Sequence, residues 1–97
     1  MERRKTLHIR EMIQNFWKDN PELYHHMMEA RVRRLWGELF GPSIAHYTTN
    51  SYVKNRTLYV SMSSSVVRNE LISMRKRLVA ALNKHAGGDV IDDVVIR

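Results

Sequence analysis

The chain has 97 residues, 43% of them apolar, with 16 Lys and Arg against 10 Asp and Glu, a net charge of +6 and a pI near 10.1. That length suits one small domain over 1–97 with a single core. The absence of cysteine excludes disulfides, thiol nucleophiles and Cys-based zinc sites. No window approaches the roughly 18 apolar residues of a membrane span, and the N-terminus lacks the apolar run of a signal peptide. A cytoplasmic protein without membrane contact is expected, and its positive field favours polyanions, nucleic acid first.

Breaks fall at Asn20-Pro21, Gly41-Pro42, Asn55 and Gly87-Gly88, with no repeat or low-complexity segment between them. The first helix is predicted over 6–18. Thr6 is its N-cap, and Ile9, Met12, Ile13, Phe16 and Trp17 fall at helical spacing. With the basic run Arg3, Arg4, Lys5 it forms an N-terminal segment over 1–20, ahead of a core over 21–97. Asn20, Pro21 and Glu22 then start a second helix that reaches Leu39. Its stripe is Met28, Val32, Leu35, Trp36 and Leu39, and Glu29–Arg33 and Arg34–Glu38 are i,i+4 pairs on its solvated side.

Gly41, at a left-handed helix end, and Pro42 stop that helix. Ile44 to Val53 reads as a strand, and Thr57 to Met62 alternates, with Leu58, Val60 and Met62 on one face and Thr57, Tyr59 and Ser61 on the other. The turn between them has no glycine, so Asn55 is its left-handed pivot. Ser64 or Ser65 caps one long helix, along which Val67, Leu71, Met74, Leu78 and Leu82 repeat until Gly87 reverses the chain. A last strand places Val94 and Ile96 on one face and Val95 on the other. The order α-α-β-β-α-β predicts a small α+β domain. Its three-stranded mixed sheet is covered by helices on one face, and the last strand pairs in parallel after a right-handed crossover.

Signals for catalysis are weak: there is no Gly-rich phosphate loop, no G-x-S-x-G and no H-E-x-x-H. His25 and Glu29 share a helix face next to His26, but two ligands fall short of the three or four zinc takes, so this reads as a solvated face. Asp92 and Asp93 point to opposite faces of a strand and keep its start soluble. No enzyme, cofactor, metal or small-molecule substrate is expected.

The cations are better placed. Arg68 and Arg75 lie seven apart, two turns on one side of the long helix. Arg77 and Lys84 repeat that spacing, with Lys76 beside them. Arg31, Arg33 and Arg34 make a second patch and Arg3, Arg4 and Lys5 a third. Such rows can track phosphates, though charge runs are also ordinary solvated faces. Tyr59, on the open sheet face near Tyr47 and Tyr52, can stack a base or be half-covered by a neighbour. Trp36, one turn before Gly41, packs the helix onto the incoming sheet, and Leu71 sits on the long helix's apolar face.

Trp36, Gly41, Ile44-Ala45-His46-Tyr47-Thr48, Leu58-Tyr59-Val60, Ser63-Ser64-Ser65, Glu70-Leu71, Leu82-Asn83 and the closing GGDVIDDVVIR together resemble the DciA family of bacterial proteins, over about Leu23 to Arg97. The resemblance implies a KH-like domain in a protein that binds DNA and helps load or operate the replicative helicase without being an ATPase. The chain departs from the family pattern with Asn55-Arg56 where a hairpin glycine is usual, and with Val67 where Trp is frequent. It lacks a G-x-x-G between two helices, one long helix being predicted there, so KH-style RNA reading is not carried over. The function expected is non-catalytic DNA binding through phosphate contacts in support of the helicase. An RNA-binding protein using the sheet face, and a pure protein-interaction module, are the other readings these residues admit.

Overall fold

In the computed structural model, which describes residues 2–97 and side chains from His8 onward, the elements run α1 (Glu2–Asp19), α2 (Pro21–Leu39), α3 (Pro42–Tyr47), β1 (Thr48–Lys54), β2 (Thr57–Met62), α4 (Ser65–Ser73), α5 (Arg75–Ala86) and β3 (Asp93–Ile96). The sheet order is β1-β2-β3. β1 is antiparallel to β2, and β3 is parallel to β2, so the sheet is mixed as expected.

One face of this sheet is the floor of the core. Leu58, Val60 and Met62 of β2 and Val94 and Ile96 of β3 are buried against Met28, Val32 and Trp36 of α2, Leu71 of α4, and Leu78, Leu82 and Ala86 of α5. The alternation read from Thr57–Met62 therefore holds residue by residue. Asn83 ties the loop after α5 to this core. Its Oδ1 accepts from the N–H groups of Val90 and Ile91, and its Nδ2 donates to Ile91 O at 2.8 Å.

Three boundaries differ from the sequence expectation. α1 begins at Glu2, so Thr6 lies inside the helix rather than at its cap. Residues 44–47 are helical, not strand. Gly41 turns the chain at φ 93°, where a side chain would be strained, and Pro42 opens α3 at its first turn, the position where proline is favoured. Thr48 then closes α3 and begins β1.

The third difference is the largest. The long helix is two helices, α4 and α5, separated at Met74. Met74 N–H donates to Leu71 O at 3.0 Å, three residues back, which tightens the last turn of α4. Leu71 and Leu78 are buried on the two sides of the break, while Met74 between them is 42% exposed. Ser64 is the N-cap of α4, its Oγ accepting from Val67 N–H at 3.3 Å, and Gly87 ends α5 in the left-handed conformation.

The hairpin turn uses two left-handed residues, Asn55 at φ 51° and Arg56 at φ 58°. It pairs Lys54 with Thr57 and so sets Tyr52 opposite Tyr59.

Candidate nucleic-acid interface

The break at Met74 places Arg75, Lys76 and Arg77 in the first turn of α5, where the helix presents its positive end. Among the described residues no side chain caps this start. An open depression of about 410 Å³ is lined by Ile72, Ser73, Met74 and these three cations. A second, of about 320 Å³, lies between Arg75, Lys76, Val79, Asp92 and Asp93. Arg75 is held across the second by Asp93, Nε to Oδ1 3.1 Å. Lys76 and Arg77 are exposed and make no ion pair among the described residues.

Arg68 is half-buried in the first turns of α4. Because a helix break separates it from Arg75, the two do not form a row on one helix, as seven-residue spacing suggested. Arg77 and Lys84 do share α5, both exposed and about 10 Å apart along its axis. That distance spans about three base steps of one strand.

The α2 patch is less available than its sequence suggests. Arg31 is half-buried, donating from Nη1 to Ala86 O at 2.8 Å and so capping the C-terminal end of α5. Arg34 meets Glu38 at 3.7 Å, whereas Glu29 and Arg33 do not close to ion-pair distance. Arg33 is exposed. The side chains of Arg3, Arg4 and Lys5 lie outside the described residues.

On the open sheet face, Tyr59 is half-buried and stacked on Tyr52, with ring centroids 4.9 Å apart and planes 12° from parallel. The Arg97 guanidinium lies over both rings, 5.3 Å from Tyr59 and 5.9 Å from Tyr52, and donates to Tyr52 Oη at 2.7 Å. A base stacking on Tyr59 must compete with these internal partners.

Sequence spacing gave no hint of Arg97 in this cluster, nor of Arg56 as a hub. Arg56 donates from Nε and Nη2 to the two Asp92 carboxylate oxygens, both at 3.0 Å, and meets Asp89 at 3.2 Å. The hydrogen bond to Arg56 holds the Asp92 carboxyl below its ordinary range, outweighing the opposing effect of desolvation.

At the α2–α3 corner, Trp36 is 2% exposed and edge-on to Phe40. Its Nε1 donates to Thr48 Oγ1 at 3.0 Å, and that hydroxyl donates to Ile44 O at 2.7 Å. Leu71 is buried in the core. Among the described residues no three His, Asp or Glu side chains gather as a metal site, and no helix is long and apolar enough to cross a membrane.

No curated relative matches the chain. Residues 8–96, nearly its whole length, match the family described as "Dna[CI] antecedent, DciA". That match covers well over half of the chain, and the chain belongs to the DciA family.

Proposed function

We propose that this chain is a non-catalytic DNA-binding protein that assists the replicative helicase, and that the first turn of α5 holds DNA phosphates. The family is associated with helicase loading in DNA replication, which supports the helicase half of this reading. The observation that carries the DNA half is the break at Met74. It converts a run of three cations into a cluster at a positive helix end beside an open depression.

A helix–turn–helix between two strands is compatible with a KH-like arrangement, in which the loop between the helices clamps the nucleic-acid backbone. Here that place carries Ser73, Met74, Arg75 and Lys76 in place of G-x-x-G. The grip is therefore electrostatic, tolerant of sequence and steeply salt-dependent. Lys76 and Arg77 make the primary contacts, with Lys84 extending the track along α5. Arg75 contributes where a phosphate displaces Asp93.

The test is a titration of single-stranded DNA, duplex DNA and RNA at graded salt. Lys76→Glu with Arg77→Glu is expected to weaken DNA binding at least about tenfold and to flatten the slope of log K on log salt by about 2, with no loss of thermal stability, since acidic residues suit the positive end of α5. An unchanged affinity moves the DNA site elsewhere on the molecule.

A further inference from the structure

The first helix leaves its apolar stripe uncovered. Ile9, Met12, Ile13 and Phe16 follow the i, i+3, i+4, i+7 spacing of one helix face and are 48% to 58% exposed. Leu23 and Tyr24, exposed at the start of α2, add to the apolar surface near that junction. α1 is tied to α2 at their junction, where Trp17 packs edge-on against Tyr24 at 5.8 Å and Asn20 Nδ2 donates to Phe16 O at 2.8 Å. The molecule is correspondingly long, 55 × 26 × 21 Å. An 18-residue helix of this composition is marginal on propensity alone, so its stripe has reason to be covered.

Two occupants compete for it. These six exposed large side chains offer roughly 600 Å², short of the roughly 800 Å² per partner of a standard stable interface. A second copy also brings a net charge of +6 against +6. The α1 segment itself has five Lys and Arg against three Asp and Glu, with Arg10 beside the stripe. A groove that wraps the helix buries its flanks as well as its apolar face, and an acidic rim meets its cations.

We propose that α1 is a docking helix that lays its Ile9, Met12, Ile13 and Phe16 face into an apolar, acid-rimmed groove of the replicative helicase. The identity of that partner rests on the function proposed above; the helical anchor pattern does not. The phosphate cluster is on α5, so one copy engages DNA and helicase through separate surfaces.

The experiment titrates the labelled full chain with purified replicative helicase from the same organism. DNA binding and sedimentation are measured in parallel. Ile13→Glu with Phe16→Glu is expected to lower helicase affinity at least about tenfold and to leave DNA affinity and the melting of the core unchanged. Arg10→Glu, which removes no apolar contact, is expected to weaken helicase binding several-fold at low salt and much less at high salt. Wild-type helicase affinity in both variants overturns the docking role of α1 and leaves the helicase function standing. No binding by the unaltered chain overturns both. A dimer of the unaltered chain that Ile13→Glu with Phe16→Glu dissociates gives the face to a second copy. Stripe-dependent binding to anionic vesicles without helicase binding gives it to lipid. Either result overturns the proposal.

Discussion

Arg56 occupies a conformation that costs a non-glycine residue, φ 58°, and from it reaches Asp89 and both oxygens of Asp92. The pair has a pH signature. Asp92 titrates lower in the folded chain than in the unfolded one, so its contribution is present above the ordinary carboxylate range, near pH 4. It is lost as pH falls through the folded-state value. Asp92→Asn is therefore expected to unfold at lower urea than the parent at pH 7, the gap closing in acid once pH has fallen below the folded-state value. Equal gaps at both pH values would assign the loss to something other than this ion pair. The single residues that sequence left unread share a cause: their partners are distant. Arg31 looks like one of three surface arginines because nothing local reveals that Ala86 O, 55 residues on, accepts its hydrogen bond. Tyr59 was legible as an outward strand residue with Tyr52 near it, but the two-residue turn that sets the pair opposite each other was not, because it needs Arg56 as well as Asn55 in the left-handed region. Arg97 above both was not, since β3 register is set by contacts outside the hairpin.

At the level of elements, helix faces and strand alternation were legible wherever one face is buried, as in α2 and β2, because burial imposes the period on the sequence. Two of the three misread boundaries come from the same rule. Val67, Leu71, Met74, Leu78 and Leu82 keep helical spacing across a break that no glycine or proline marks, so spacing alone reads as one helix. Ile44 to Tyr47 is too short to show a period, and Pro42, which stops α2, is equally a favoured start for α3. The corner these elements share hangs on one hydroxyl. Thr48 Oγ1 accepts from the buried Trp36 indole and donates to Ile44 O, joining α2, α3 and β1. Thr48→Val keeps the shape and leaves the indole N–H unpartnered, which is expected to cost about 1–3 kcal/mol. Thr48→Ser should recover most of it in denaturant melts. If the serine variant is as unstable as the valine one, the methyl group rather than the hydroxyl is what the corner needs.

For the whole molecule, the arrangement separates tasks. The core lies between α2, α4, α5 and one face of the sheet, leaving the start of α5, the open sheet face and the stripe of α1 as three surfaces with different chemistry. A basic net charge was the part of this division visible from composition, since it constrains partners without locating them. The central strand β2 has one neighbour that is close in sequence, β1, and one that is far, β3. That asymmetry has a kinetic side. The hairpin can close early, whereas the parallel pair requires a 36-residue loop, the separation of Arg56 from Asp92, to find its ends. These two residues stand immediately before the first register pair, Thr57 with Asp93, so opposite charges meet at the mouth of the closing loop. Stopped-flow refolding of Asp92→Asn should be slower than that of the parent, by a factor that shrinks as salt is raised, while unfolding changes little. A variant that instead unfolds faster and refolds normally would mean the pair locks a register that other contacts have already found. If refolding is slowed, Arg56 and Asp92 are the clasp that tells the last strand where to begin.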